Sequence, residues 1–200
     1  TIIMTKKVWY APNKFESYGE EEIKAVEACL RDGWLAGFGD RTIEFEKRVA
    51  DLFGKKTGLF VNSGSSAILL GLCALDLPKG SEVVTPACGF ATTVAPLMQL
   101  GLKPVFCDVG LDSYVPTVEQ LRKVVTPETK CLIIPNLIGN IPDWEAIRKA
   151  FPDLILFEDS ADTITHTPCT DISTTSFYAS HVITAGGCGG MVMFNDDGHL

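Results

Sequence analysis

Between Leu59 and Phe194, short runs of apolar residues alternate with stretches of helical period, and this rhythm fixes the kind of fold available. Leu59–Val61, Glu82–Thr85, Lys103–Asp108, Cys131–Pro135, Leu154–Phe157 and Gly190–Phe194 read as strands. Helices are expected through Leu69, Leu70, Cys73 and Ala74, from Phe90 to Leu100, over Val118–Val125 and over Asp143–Phe151. A strand that is apolar throughout, rather than at every second residue, needs cover on both faces. Strands of that kind separated by helices predict an α/β fold with a mainly parallel sheet between two helical layers. In such sheets ligands bind beyond the carboxyl ends of the strands, so polar groups just past those ends are the candidates for function.

Ahead of the alternation, residues 1–17 show no sustained period. Ile23, Val26 and Leu30 then recur at helical spacing behind an acidic first turn, with Gly33 as a stop. A glycine-rich loop with Trp34 follows, then a second helix marked by Phe45, Val49, Leu52 and Phe53 and ended by Gly54. Apolar residues make up 46% of the chain, enough for a core of this size. The net charge of -8 argues against nucleic acid or an anionic membrane as the main partner. An anionic ligand must therefore be held by local amides and helix ends. No apolar run approaches the length of a membrane span, and the sequence has no secretory leader pattern. Seven cysteines stand singly, without metal-ligand spacing, so no metal site is expected. They read instead as reduced core cysteines of a cytoplasmic protein. The polar end Asn195–Leu200, directly after a strand, suggests a chain that continues further.

Four groups stand at or beyond strand ends. Asn62-Ser63-Gly64-Ser65-Ser66 joins a strand to a helix, where free amides and hydroxyls can cradle a phosphate or simply cap the helix. Phe90, beyond the second strand, offers an aromatic face for a planar ring or a core contact. Glu158-Asp159-Ser160-Ala161-Asp162 sets carboxylates at the end of an apolar strand. There they can keep a heteroaromatic nitrogen protonated, cap the chain or contribute to a metal site. Ser176 and His181 lie in a polar stretch that leads through glycines into Gly190–Phe194; a lone histidine there also fits a connecting loop. Phosphate cradle, aromatic face, carboxylate, serine and histidine in this order make a coherent set for pyridoxal phosphate.

On these residues the chain resembles the DegT/DnrJ/EryC1/StrS sugar aminotransferase superfamily of fold-type I pyridoxal-phosphate enzymes, from about Gly33 to Phe194. The resemblance implies the large domain of a three-layer fold-type I transferase. Residues 1–40 would be its N-terminal helical segment and 41–200 the cofactor-binding domain, truncated, with the small C-terminal domain outside this chain. It also implies roles. Gly64, Ser65, Ser66 and Ser176 would contact the cofactor phosphate and Phe90 would stack on the pyridine. Asp159 would pair with the ring nitrogen, and Asp162 would face the cofactor's hydroxyl side.

At the family's Schiff-base lysine stands His181, and no lysine follows Lys149. That pattern is similar to the nucleotide-linked 4-keto-6-deoxyhexose 3-dehydratases. So are Ser63–Ala67, Gly89–Pro96, Leu137-Ile138-Gly139-Asn140, Thr175–Tyr178, and Asp162 in place of glutamine. The chain departs from that branch at Val182, where a second histidine is usual, and in the run Ala185–Gly190. The implied cofactor is pyridoxamine 5'-phosphate or pyridoxal 5'-phosphate, held without a covalent link, and the implied substrate a nucleotide-linked keto-sugar. His181 would be the acid/base of C3 dehydration, in a homodimer. The alternatives are an ordinary sugar aminotransferase, or a fragment that binds cofactor without turnover.

Overall fold

The computed structural model describes residues 18–34 and 37–195; the aperiodic residues 1–17 and the polar end, 196–200, lie outside them. Two helices, α1 (Glu20–Asp32) and α2 (Asp40–Phe53), precede the sheet. The alternation then runs β1 (Thr57–Val61), α3 (Gly64–Ala74), β2 (Glu82–Pro86), α4 (Ala91–Gln99), β3 (Lys103–Cys107), α5 (Val118–Arg122) and β4 (Thr129–Pro135). A short 3₁₀ turn (Leu137–Gly139), α6 (Trp144–Ala150), β5 (Ile155–Asp159), β6 (Ile172–Ser176) and β7 (Gly190–Phe194) complete it. One seven-stranded sheet results, in the order β1-β7-β6-β5-β4-β2-β3. All neighbours are parallel except β7, which runs against both β1 and β6. The mainly parallel, three-layer architecture expected from the sequence is the one found.

The apolar strands divide their side chains between the two faces. Ile133, Phe157 and Val192 point toward α3 and α4, where Ile68, Leu72 and Leu97 complete a buried cluster. Their immediate neighbours Leu132, Ile134 and Leu156 point the other way and pack on Leu121 of α5 and Trp144 and Ile147 of α6. Further along that second face, Met191 and Met193 meet Val49 and Phe53 of α2. Burying one such side chain contributes about 1.5–3 kcal/mol, which is why strands apolar at every position tolerate no solvent face. Between these two clusters no helix packs among the described residues. Residues 160–171, without helix or strand, fill the gap, with Ile164 on the α2 cluster and Cys169 on the α6 cluster.

Three expectations are corrected. The strands expected from the sequence do not include Ile172–Ser176, which is a fully buried strand, β6. Helix α5 stops at Arg122 rather than Val125, where two β-branched valines and Thr126-Pro127 follow. The cysteines are not mainly core residues either. All seven are free, but only Cys107 and Cys131 are buried, and Cys73, Cys88 and Cys188 are exposed.

Candidate active site

The reversed direction of β7 shapes the site. Its first residue, Gly190, pairs with Val61 on one side and Ser176 on the other, so the ends of β1 and β6 meet at the head of β7. The turn from β1 into α3 lies directly on that junction. A Cβ on Gly190 would come within 2.2 Å of the Ser63 carbonyl carbon, and one on Gly64 within 2.9 Å of the Ser176 Cβ. Both glycines are there because no side chain fits.

Ser63 caps α3, its hydroxyl accepting from the Ser66 amide at 3.1 Å, while the Ala67 amide donates to the Ser63 carbonyl. The Gly64 and Ser65 amides, first in the helix, have no partner among the described residues. With the positive end of the helix dipole they form an anion seat. Ser176 borders it, its oxygen accepting from the Tyr178 amide at 3.3 Å.

At the end of β5, Asp159 turns to the face occupied by α3 and α4. Thr93 of α4 donates to its Oδ2 at 2.7 Å. Burial pushes the Asp159 carboxyl up to about 6; the Thr93 hydrogen bond opposes this, and the charges of Asp162 and Glu158 add to it. A cation beside it would reverse that shift, so the site is suited to a protonated ring nitrogen. Asp162 accepts instead from the Ile138 amide at 3.0 Å. Ile138 sits at φ 54°, a left-handed conformation that is rare for a β-branched residue. Phe90 stands at the rim, 68% exposed, its ring free to take a flat ligand rather than packed in the core.

His181 is carried by a loop closed upon itself between β6 and β7. The Phe177 amide donates to the Gly189 carbonyl at 2.9 Å, Ala179 to Gly187 at 3.1 Å, and His181 to Tyr178 at 2.9 Å. The Tyr178 and His181 rings lie edge to face, 5.9 Å between centroids. The glycine run of this loop has a backbone reason, since Gly187 (φ 117°) and Gly189 (φ 144°) both take positive φ. His181 Nδ1 is buried without a hydrogen-bond partner among the described residues.

Gly64, Ser65, Phe90, Asp159, Asp162, Ser176 and His181 thus line one cleft of about 470 Å³. Ser66 is not part of its wall, its amide and hydroxyl both being engaged by Ser63. The sequence reading missed Thr93, the partner of Asp159, and Asn136, which lines the cleft at the end of β4. Asn136 stands at a strand end, a signal that could have found it. Thr93, inside a helix, gave none. No group of side chains among the described residues could hold a metal ion.

A model of the DegT/DnrJ/EryC1/StrS aminotransferase family matches residues 16–199. The chain belongs to that family. Among its relatives, the dTDP-4-dehydro-2,6-dideoxy-D-glucose 3-dehydratase of Saccharopolyspora spinosa is 37% identical over 84% of this chain and 40% of its own length. From the same organism, the dTDP-4-dehydro-2,3,6-trideoxy-D-glucose 4-aminotransferase is 33% identical over 86% of this chain and 47% of its own. The solved structure of the E. coli GDP-4-keto-6-deoxy-D-mannose-3-dehydratase with bound hydrated PLP superposes with a TM-score of 0.82 at 29% identity. It covers 94% of this chain and 51% of that one. The relatives thus include both reaction types, and the chain spans about half the length of the curated relatives it matches.

Proposed function

We propose that this DegT-family chain carries the cofactor-binding part of a pyridoxamine/pyridoxal-phosphate enzyme that removes the C3 hydroxyl of a nucleotide-linked 4-keto-6-deoxyhexose. The observation that carries this reading is His181. It lines the cleft, its Nδ1 is buried without a partner among the described residues, and no described lysine lines that cleft. A transaminase of this fold needs a lysine to hold and release its cofactor, so the aminotransferase alternative is disfavoured. The 3-dehydratases among the relatives support the same choice.

The cleft fits the cofactor group by group. The Gly64 and Ser65 amides and the Ser176 hydroxyl would hold its phosphate, in a seat that any side chain on Gly64 would crowd. Phe90 would cover one face of the pyridine, and Asp159 would keep its nitrogen protonated. Asp162 would border the cofactor's ring hydroxyl. When bound, the cofactor supplies an amine that captures the sugar's 4-keto group and a ring that accepts electrons. His181 would take a proton from the carbon bearing that amine and return it to the C3 hydroxyl, which departs as water. Phe90 and the self-closed loop around His181 would keep bulk water from the reacting carbons. A homodimeric, cytoplasmic enzyme of deoxysugar biosynthesis belongs to the same reading.

His181→Asn provides the test. The variant is expected to bind pyridoxamine 5'-phosphate within a few-fold of wild type. Dehydration of the keto-sugar should drop about 10²–10⁴-fold, the usual contribution of a general acid–base. Borohydride should fix no pyridoxal phosphate to the wild type, but should fix it to His181→Lys. Turnover retained per folded molecule of the His181→Asn variant would remove His181 from the chemistry and the dehydratase reading with it. Failure of the wild type to bind either cofactor form would leave a scaffold without catalysis.

A further inference from the structure

Glu158 precedes Asp159 on β5 and so faces the opposite side of the sheet, into the gap between the α2 and α6 clusters. It is wholly buried. Its carboxylate accepts from Asn136 Nδ2 at 2.6 Å, Thr165 Oγ1 at 2.7 Å, Ser173 Oγ at 2.5 Å, Thr170 Oγ1 at 3.4 Å, and Thr167 Oγ1. Lys55, also buried, extends the network: its ammonium donates to Thr170 Oγ1 at 2.9 Å and to the Thr167 carbonyl. Five neutral donors and a nearby cation make this a satisfied buried carboxylate. Three of the five donors belong to residues 160–171, a segment with no ladder or helix of its own to hold it.

The hold reaches the cleft by two short routes. Asn136 Nδ2 donates to both Glu158 and Ser160 Oγ (3.0 Å), and Ser160 Oγ in turn donates to the Thr163 carbonyl at 2.8 Å. Trp144 Nε1 closes on Asn136 Oδ1 at 3.3 Å. Ile138 lies two residues after Asn136, and Asp162 two residues after Ser160. The strained Ile138 amide and the Asp162 carboxylate that accepts from it are therefore each carried on a stem tied to Glu158.

We infer that Glu158 is a positioning residue of the cleft: through Asn136 and the 160–171 segment it sets Asp162 against the turn at Ile138, and hence the wall beside a bound pyridine. The last clause rests on the cofactor reading above; the positioning of Asp162 does not.

Residue-resolved amide exchange on the cofactor-free protein reads the positioning directly. Glu158→Gln puts an amide NH₂ among donors, and Thr165→Val removes one donor with little change of shape. Either is expected to speed exchange of the Ile138 amide about tenfold, as a local opening, while Leu132 in central β4 keeps its rate. Asp162→Asn should speed Ile138 similarly, and combining it with Thr165→Val should add little. Titration with pyridoxal 5'-phosphate forms the second arm. The variants should bind it a few-fold more weakly and with a reduced circular-dichroism band of the bound ring.

Should Glu158→Gln fail to fold, Thr165→Val carries the same comparison. Wild-type exchange at Ile138 in Thr165→Val, whatever the melting temperature, would reduce Glu158 to a structural role and overturn the inference. Faster exchange at Ile138 in a protein that binds no pyridoxal phosphate would uphold the positioning of Asp162 and instead sink the cofactor reading.

Discussion

Asp159 and Asp162 show how three residues of spacing separate two jobs. Only Asp159 is buried with a single hydroxyl partner and a carboxyl raised to about 6, whereas Asp162 already accepts a backbone amide. Asp159→Asn is therefore expected to weaken pyridoxamine 5'-phosphate binding and turnover far more than Asp162→Asn, and equal losses in a titration of the two variants would refute the assignment. The raised value also has a sign in the cofactor-free protein. A carboxyl that binds its proton more tightly when folded than when unfolded makes folding less favourable as pH climbs from about 4 to about 6. Above that range the cost stays. Asp159→Asn should accordingly stabilise the free protein at pH 7, on the order of 2 kcal/mol, while losing that gain near pH 4. Melts of both proteins at the two pH values check it.

Among the elements, β6 is the instructive one. Ile172-Ser173-Thr174-Thr175-Ser176 carries four hydroxyls in five residues, so hydropathy marks it as loop, yet every residue is buried. The hydroxyls are tolerated because neighbours answer them: Ser173 donates to Glu158 and Thr175 to the Ser160 carbonyl at 2.9 Å. Those partners come from chain segments that no local pattern connects to β6, which is why the strand was invisible in the sequence. The apolar strands, in contrast, are legible because a run of apolar side chains at every position needs burial on both faces. The same division holds for the site. Gly64 and Asp159 announce themselves at strand ends, whereas Thr93 and Glu158 act through contacts that only the folded sheet creates. Thr174 is the exception within β6, its hydroxyl buried without a partner among the described residues. Thr174→Val should therefore stabilise by about 1 kcal/mol, whereas Thr175→Val should cost about that much, because it strips the Ser160 carbonyl of its donor. Denaturant midpoints for the pair decide whether hydrogen bonding, and not β-propensity, sets the worth of each threonine.

For the molecule as a whole, α1 stands apart. It buries none of its residues, and Ile23, Val26 and Leu30, aligned at helical spacing, are 46–65% exposed. An apolar stripe of this kind in water favours association, so the 200-residue chain is expected to self-associate, and Val26→Glu with Leu30→Lys to reduce it. A light-scattering mass equal to the monomer for the unmodified chain would contradict this. The no less telling feature is the reversed strand. Val61 and Ser176 are bridged by Gly190, from the last of the described strands, and the turn at residue 63 lies on that bridge. During synthesis a nascent chain can close β2 to β6 side by side before the turn at residue 63 has Gly190 to lie against. The seat proposed for an anion would thus take its final shape late, once residue 190 has joined the sheet.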